Sequence, residues 1–374
     1  MTADQIKSDC RHYRGDRPCS YHKREGTKCA CCSRYAPFSE KILIVKLEAM
    51  GDVLRTTSIL PGLREKHPAA QITWITAAPA LPLFPGNPYV DRVLPLLPDG
   101  LVCLLAERFT LAVNLDTSPL SASLLARAAA GEKKGFSLDA RGQVCALSRE
   151  AEEWLRMSVF DDAKKMNRRT YQAIIHDILG LGSPPGEIVL NLSEEETAFA
   201  REFVSRPGLF SPRPWIGLNT GGGGRWEFKR WTKEATLELA RRCADEFDTR
   251  LLLFGGPEEE ERNGWLMACA GDILVDTGCR NTLREFFALL NLCDIAVVSD
   301  TLALHAASAL KKKVVALFGP TSAAEIELYG RGEKVAAPVP CQCCYLPTCR
   351  QSPNCMESIT PEMVLAAIRK LLKS

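Results

Sequence analysis

Residues 295–321, with the sequence IAVVSDTLALHAASALKKKVVALFGPT, constrain the fold of this chain more than any other segment. Residues 295–298 and 313–318 are apolar runs typical of buried strands. An alanine-rich stretch between them favours a short helix, and Gly-Pro-Thr closes the second run. The pattern predicts a strand, a tight turn, a helix and a second strand, which is the repeating unit of an α/β fold.

The polar residues of this segment indicate where a ligand would bind. Ser299, Asp300 and Thr301 are suited to capping the following helix, and His305 lies about one turn into it. Ligands of open α/β sheets bind beyond the carboxyl ends of the strands, and a helix N-terminus there attracts anions. We therefore expect Asp300, Thr301, His305 and Thr321 to surround a phosphate-bearing ligand.

Two series of alternating strands and helices run along the chain. The first begins at residue 41 with an apolar strand, a turn at 48–52, a helical stripe and a strand at 71–76. The second begins at residue 214 and continues to a final amphipathic helix at 360–372. This alternation predicts two Rossmann-like domains facing across a cleft, at 41–205 and 206–374. The polar, Cys-rich residues 1–40 are expected to form a small additional module.

The composition excludes several classes of protein. A length of 374 residues suggests two domains or slightly more. A net charge of +2 is not the strongly basic balance that is typical of nucleic-acid-binding proteins. No apolar run reaches the roughly 18 residues of a membrane-spanning helix, and the N-terminus lacks a signal-peptide pattern. We therefore expect a cytoplasmic protein with at most peripheral contact at the inner face of the membrane.

Four features suggest roles in binding or catalysis, each with a structural alternative. The glycine run 221–224 follows a strand and precedes Lys229, so it is either a flexible loop or a phosphate-binding loop. Asp52 is either the N-cap of a helix or a general base at the end of the first strand. His305 is either a satisfied core residue or part of the site. Glu259 opens a helix within a run of glutamates, where it either complements the helix dipole or binds a ribose diol.

Ten of the sixteen cysteines form two clusters, one near each end of the chain, and the other six are scattered between them. Clustered cysteines in a reducing compartment are more often metal ligands than disulfides. We expect structural zinc, or else iron, at each cluster, with free thiols or disulfides as the alternatives. The predicted ligands are Cys10, Cys19, His22, Cys29 and Cys32 in the N-terminal cluster, and Cys341, Cys344, Cys349 and Cys355 in the C-terminal cluster.

Taken in order, several motifs resemble glycosyltransferase family 9, the ADP-heptose:lipopolysaccharide heptosyltransferases of GT-B fold. They are KILIVKLEAMGDVLRTTSILPGLREKHPAAQITWIT, NTGGGG with KRW, FGGPEEE, VDTGCRNTLREFFALL, VSDTLALHAASALKKKVVALFGPTSAAEIELYG and CQCCYLPTC with ITPEMV. The resemblance covers residues 41–374. It implies an acceptor-binding first domain and a nucleotide-sugar-binding second domain.

The resemblance also implies roles for individual residues. Asp52 would deprotonate the acceptor hydroxyl in an inverting transfer without a catalytic metal, and Glu259 would reach the nucleoside. Lys229 and the helix start at Thr301 would replace a divalent cation at the leaving ADP. The other residues implied to contact the donor are Thr220, Gly221, Gly222, Asp300, His305 and Thr321.

Two departures from the family pattern bear on the substrate. Leu302 stands where the family usually has glycine, which is expected to weaken a backbone contact to phosphate, and typical members lack a segment like residues 1–40. The resemblance implies heptose transfer from ADP-heptose to a lipopolysaccharide-core or related glycan acceptor, which would be free or lipid-linked. The alternatives are another nucleotide sugar or a protein acceptor, and, from a different class, a nucleotide-binding scaffold with little turnover.

Overall fold

The computed structural model describes residues 6–206, 213–222, 227–346 and 348–373. Contacts divide the chain into two compact units, and each unit is built from segments that are not consecutive in the sequence. The first comprises Met1–Glu48, Ser58–Leu155 and Ile174–Gly186, and the second comprises Ala49–Thr57, Arg156–Ala173 and Glu187–Ser374. The predicted boundaries at 1–40, 41–205 and 206–374 stay a prediction.

The described part of the first unit contains a six-stranded sheet in the order β3-β2-β1-β4-β5-β6. It is parallel except for the pairing of β5 with β6. Residues 42–45 of β1 and all of β2 are buried, as expected of central parallel strands. The strands are β1 (Glu40–Val45), β2 (Ala70–Thr76), β3 (Arg92–Pro95), β4 (Arg108–Asn114), β5 (Ala129–Leu138) and β6 (Val144–Ala146).

The second unit holds another six-stranded sheet in its described residues, wholly parallel and ordered β12-β11-β10-β7-β8-β9. The central strand β10 is buried along its whole length and ends at the polar turn predicted to bind a ligand. The strands are β7 (Ile216–Asn219), β8 (Leu251–Phe254), β9 (Leu274–Asp276), β10 (Ile295–Ser299), β11 (Lys313–Phe318) and β12 (Gly332–Ala336).

Helices flank the sheets, and their ends follow capping rules. Thr232 and Thr282 accept backbone N–H groups at the starts of two helices of the second unit, and Ser193 does so in a capping box with Glu196. The helices are α1 (Ser20–Glu25), α2 (Met50–Thr56), α3 (Ile59–Lys66), α4 (Pro98–Ala106), α5 (Pro119–Arg127), α6 (Arg149–Val159), α7 (Asp161–Met166), α8 (Tyr171–Leu179), α9 (Glu194–Ser205), α10 (Lys233–Phe247), α11 (Glu260–Ala270), α12 (Leu283–Leu290), α13 (Leu302–Ala309) and α14 (Pro361–Lys373).

The position of α2 matters most for the site. This helix follows β1 in the chain, yet its contacts place it in the second unit, against α13. Gly51 makes the close approach possible, because a Cβ atom there would lie 3.0 Å from Cδ2 of His305. The helix that carries Asp52 and the helix that carries His305 therefore belong to one packed unit.

The Cys-rich N-terminal segment belongs to the first unit. Cys10 forms an isolated antiparallel bridge with Pro37. The Arg11 guanidinium group lies 3.2 Å from the Asp91 carboxylate and donates a hydrogen bond of 3.2 Å to the carbonyl of Ala70, at the start of β2. These contacts attach the segment to the edge of the first sheet.

Candidate active site

A cavity of about 410 Å³ lies within the second unit, at the carboxyl end of β10. We call it the donor pocket, after the role that the family resemblance implies for several of its residues. It combines the N-terminal part of α2, the turn between β10 and α13, and the loop after β11. Its polar and charged lining residues are Asp52, Arg55, Lys229, Asp300, Thr301, His305, Thr321, Ser322, Glu325 and Tyr345.

The turn between β10 and α13 places the backbone N–H groups of the first turn of α13 at the pocket. Thr301 is the N-cap residue of α13, but its side chain makes no capping hydrogen bond. The hydroxyl group instead donates to the carbonyl of Ser299 at 3.3 Å. The expectation that these polar side chains cap the helix is therefore wrong for Thr301. The uncapped first turn leaves its backbone N–H groups suited to binding an anion.

Lys229 and Asp300 form an ion pair in the pocket wall. The Lys229 ammonium group donates to the carbonyl oxygen of Asp300 at 3.0 Å and to its carboxylate at 3.2 Å. Burial opposes ionisation of Asp300, but the Lys229 cation, the Thr321 hydroxyl group and the Arg55 cation together outweigh it, and the pKa of Asp300 stays below its ordinary value. The Asp300 carboxylate is therefore ionised at neutral pH, and the ion pair holds Lys229 where a phosphate could bind.

His305 is buried, with 5% of its surface exposed, and faces the same cavity. Burial and the nearby Arg55 cation together lower its pKa to about 4, against the opposing effect of Asp300. The imidazole is therefore neutral near pH 7. A neutral imidazole can donate a hydrogen bond to a sugar or a phosphate and accept one from a sugar hydroxyl, but it adds no positive charge to the pocket.

Asp52 lies in the first turn of α2, and the N-cap position of that helix is occupied by Ala49. The interpretation of Asp52 as an N-cap is therefore wrong. Its side chain is 38% exposed and lines the donor pocket, and its Oδ1 atom lies 2.8 Å from Nη2 of Arg55. An accessible carboxylate at this position is suited to accepting a proton from a bound hydroxyl group.

Leu302, the departure from the family pattern, is the first residue of α13 and also lines the pocket. Its backbone N and Cα atoms lie 3.6 Å from the position that a Cβ atom on Gly51 would occupy. The substitution therefore leaves the close packing of α2 on α13 in place.

The other predicted donor contacts lie around the β7 and β8 ends. Gly222 lines the donor pocket, and residues 223–224 of the glycine run lie outside the described residues. Thr220 is buried, and its hydroxyl group donates to Asn263 at 2.6 Å, so it is engaged within the fold. A Cβ atom on Gly221 would lie 3.5 Å from the Glu259 carboxylate, which brings these two residues together.

Glu259 has a clear local role. Its carboxylate accepts a hydrogen bond of 3.0 Å from the backbone N–H of Gly256 and lies 3.4 Å from the guanidinium group of Arg230. It caps the helical turn at its own position, which agrees with the structural alternative. Its predicted contact with the nucleoside stays a prediction.

Four pocket residues had no predicted role: Arg55, Ser322, Glu325 and Tyr345. The Tyr345 hydroxyl group donates to Glu325 at 3.0 Å and accepts from the backbone N–H of Ser322 at 3.2 Å. Burial raises the pKa of Glu325 against the opposing effect of Arg55. One signal was available in the sequence, because Arg55 lies one helical turn after Asp52.

The predicted N-terminal metal ligands line a separate cavity of about 560 Å³ in the first unit. The Cys19 sulfur accepts the backbone N–H of His22 at 3.4 Å, and Nδ1 of His22 lies 2.9 Å from the carbonyl of Thr27. Cys10, Cys29 and Cys32 line the same cavity. The cluster is gathered in one place, although its His and Cys side chains are partly occupied by backbone contacts.

The C-terminal cysteines also lie near one another. Burial, together with the neighbouring Cys344, Cys349 and Cys341, raises the pKa of the Cys355 thiol to about 11. Across the described residues, no three His, Cys, Asp or Glu side chains form a preformed metal-binding group. The members of each predicted ligand set therefore lie near one another, but neither set has the geometry of a complete metal site.

None of the helices in the described part of the chain combines the length and the apolar character that crossing a bilayer requires.

Comparison with known proteins identifies relatives along most of the chain. The model of glycosyltransferase family 9 (heptosyltransferase) matches residues 103–353, well over half of the sequence. Lipopolysaccharide heptosyltransferase 2 of Escherichia coli K12 is 25% identical over 314 residues, which cover 75% of this chain and 83% of that protein.

Two solved structures share the fold. The glycosyl transferase family 9 protein from Veillonella parvula DSM 2008 has a TM-score of 0.71 at 20% identity and covers 90% of this chain and 98% of its own. ADP-heptose lps heptosyltransferase II of E. coli has a TM-score of 0.64 at 21% identity, with coverage of 89% and 98%. The predicted GT-B fold with two parallel α/β sheets is confirmed.

Proposed function

This chain belongs to glycosyltransferase family 9 (heptosyltransferase) and is a glycosyltransferase, and we propose that it transfers heptose from ADP-heptose to a lipopolysaccharide-core or related glycan acceptor. One observation carries the proposal: Asp52, Lys229, Asp300 and His305 line a single cavity within one packed unit. The relatives named above support the choice of ADP-heptose as donor and of a lipopolysaccharide-type acceptor.

In the proposed reaction, the donor's diphosphate binds between Lys229 and the uncapped N-terminus of α13 at Thr301. The Lys229 ammonium group lies close enough to this helix start to offer a cation and backbone donors together. Such fixed donors stabilise the negative charge that develops on the leaving ADP. Thr321 and His305 provide further polar contacts to the diphosphate and the sugar.

Asp52 acts as the general base in this proposal. The acceptor hydroxyl gives its proton to the Asp52 carboxylate while the acceptor oxygen forms a bond to the anomeric carbon. The bond between the anomeric carbon and the diphosphate oxygen breaks, and its electron pair leaves with ADP. Attack on the side opposite the leaving group inverts the anomeric configuration, and the chemical step needs only this one positioned carboxylate.

The assignment of the remaining regions follows from the same scheme. Residues 41–205 form the acceptor-binding half and residues 206–374 the donor-binding half, with α2 contributing Asp52 to the latter. Gly221, Gly222 and Thr220 shape the donor side near the diphosphate, and Glu259 reaches the nucleoside. The enzyme acts in the cytoplasm, with at most peripheral contact at the inner face of the membrane.

The cysteine clusters hold structural metal, zinc before iron, in this proposal. Four neighbouring thiols match the soft donor set of a tetrahedral zinc site, and a bound cation would offset the mutual repulsion of their ionised forms. The Cys355 sulfur would lie 2.6 Å from a Cβ atom on Gly319, so the C-terminal cluster packs directly against the turn that precedes Thr321. Metal there would brace the donor pocket without taking part in the transfer.

A panel of nucleotide sugars tests the function. The purified full-length protein is incubated with ADP-heptose, ADP-glucose, UDP-glucose and GDP-mannose, each with a heptose-deficient lipopolysaccharide core, and nucleotide release and product mass are measured. We expect release of ADP from ADP-heptose together with a product heavier by one heptose. Turnover of another donor would instead support the alternative suggested by Leu302, and ADP binding without any turnover would support a nucleotide-binding scaffold.

A further inference from the structure

Arg55 is a buried arginine in the wall of the donor pocket, and nothing described so far gives it a role in the reaction. It lies on α2 one turn after Asp52, with 10% of its side chain exposed. Its Nη2 atom contacts Oδ1 of Asp52 at 2.8 Å. A buried guanidinium group in direct contact with the proposed base is well placed to control that base.

The guanidinium group contacts an aromatic ring as well as the Asp52 carboxylate. Its central carbon lies 3.9 Å from the centre of the Tyr171 ring, a close cation–π contact. The Tyr171 hydroxyl group is hydrogen-bonded to the Thr56 hydroxyl at 2.7 Å, and the Tyr171 backbone N–H donates to the carbonyl of Glu325 at 2.9 Å. Arg55 is therefore held between α2 and the start of α8.

The charges around Asp52 explain why a fixed cation is needed. The charged and titratable groups around Asp52 include Arg55 on its own helix, His305 on α13 and Glu325 in the loop after β11. His305 is neutral at pH 7, and an ionised Glu325 would oppose ionisation of Asp52. Asp300 is already paired with Lys229. Arg55 is a cation in direct contact with Asp52.

We propose that Arg55 is a positioning residue for glycosyl transfer, which keeps the Asp52 carboxylate ionised and fixes its orientation toward the acceptor hydroxyl group. This inference rests on the proposed function, since it assumes that Asp52 is the base. The proton still moves from the acceptor oxygen to Asp52, and Arg55 exchanges no proton. Pairing with a cation weakens a base, so the benefit of Arg55 lies in orientation and in a full population of the ionised form.

The experiment compares Arg55→Met and Arg55→Lys with the wild type in steady-state kinetics from pH 4 to pH 9. We expect Arg55→Met to lower kcat about 10- to 100-fold, within the range of a general base effect, while the KM for ADP-heptose changes less than about threefold, since donor contacts remain. The acid limb of kcat/KM should move to higher pH by about one unit or more, as expected when a carboxylate loses a nearby cation. Arg55→Lys should keep the limb near its wild-type position because the charge is retained, with kcat still reduced because lysine lacks the planar fork.

Arg331→Met is the matched control. Arg331 is also a partly buried arginine of the second unit, paired with Glu187 at 2.8 and 3.1 Å, but it does not line the donor pocket. Its replacement should leave the acid limb in place even if it lowers the thermal midpoint. An equal shift in Arg331→Met would show that the limb reports general loss of stability, which would overturn the inference.

The remaining outcomes also decide the matter. An unmoved acid limb in a folded Arg55→Met protein would refute the positioning role. A fall in kcat/KM caused only by a raised KM, with kcat unchanged, would refute it as well. If Arg55→Met does not fold, the Arg55→Lys protein decides, because a limb displaced in spite of the retained charge contradicts the inference. Failure of the wild type to turn over any nucleotide sugar would instead refute the proposed function, so the two failures are distinguishable.

Discussion

The Lys229 ammonium group contacts both the carbonyl oxygen and the carboxylate of Asp300, at 3.0 and 3.2 Å. The two residues are 71 positions apart in the chain and meet at the carboxyl end of β10. Because the ion pair holds Lys229 beside the N-terminus of α13, the cation is already placed for a diphosphate before the donor binds.

Replacing Lys229 should therefore weaken donor binding. We expect Lys229→Met to raise the dissociation constant for ADP about 10- to 100-fold, the scale of a charge-assisted hydrogen bond worth about 1.5–3 kcal/mol. Titration calorimetry with ADP measures this change. Lys370→Met removes a lysine that pairs with Glu333 on the surface and should leave ADP affinity unaltered. Equal affinities for the two variants would contradict a diphosphate role for Lys229.

The close packing of α2 on α13 predicts a cost for the smallest substitution. Gly51→Ala would place a methyl group 3.0 Å from His305, and overpacking of this kind typically costs about 1–3 kcal/mol. We expect a lower thermal midpoint and reduced kcat, because Asp52 follows directly in the same turn. The control is Gly264→Ala in α11, where a Cβ atom would meet nothing within 4 Å. That substitution should be neutral or stabilising, since alanine is the better helix former.

The buried neutral His305 predicts a pH-dependent stability. Its pKa falls from 6.5 to about 4 on folding, so the unfolded chain binds the proton more tightly and stability is lost as the pH falls from 6.5 toward 4. The loss approaches about 3 kcal/mol once the pH is below both values. Thermal midpoints of the wild type and of His305→Gln at pH 7.5 and pH 5 measure it. The difference between the two pH values should be smaller in the variant, and an equal difference would rule out this contribution of His305.

Parts of the fold could be predicted because the local signals agree with the tertiary structure. The helices 233–247 and 283–290 can be predicted from the sequence, because threonine caps and apolar periodicity coincide there. In contrast, β5 cannot, because AAGEKKGFSL has no apolar run and its extended state depends on pairing with β4. The apolar period of residues 152–181 favours a mostly helical segment, but these residues form parts of three helices, α6, α7 and α8.

The residues of the candidate site also divide into those with a local sequence signal and those that depend on tertiary contacts. The strand–turn–helix around Asp300 and His305 could be identified from the sequence because all its parts are adjacent in the chain. Glu325 and Tyr345 could not, because they join the pocket through a hydrogen bond across 20 positions. The role of Arg55 depends on the Tyr171 ring, 116 positions away, which no local pattern indicates.

Metal removal tests the cysteine clusters separately from the reaction. We expect the protein purified without chelator to contain zinc or iron by elemental analysis. Chelation should lower the thermal midpoint clearly, with a modest loss of activity, because metal would brace the fold without acting in the chemical step. Cys344→Ser should reproduce the destabilisation, whereas Cys103→Ser, which alters an exposed cysteine of α4, should not. Metal-free protein with wild-type stability would refute structural metal binding.

The most direct test of the account separates binding from turnover in Asp52→Asn. Asparagine keeps the shape of the side chain but cannot accept the proton, so we expect kcat with ADP-heptose and a heptose-deficient core to fall about 10²- to 10⁴-fold. The dissociation constant for ADP should stay within about threefold of the wild type, because the diphosphate contacts lie at Lys229 and α13. Near-normal turnover by a folded Asp52→Asn protein would contradict the assignment of Asp52 as the base.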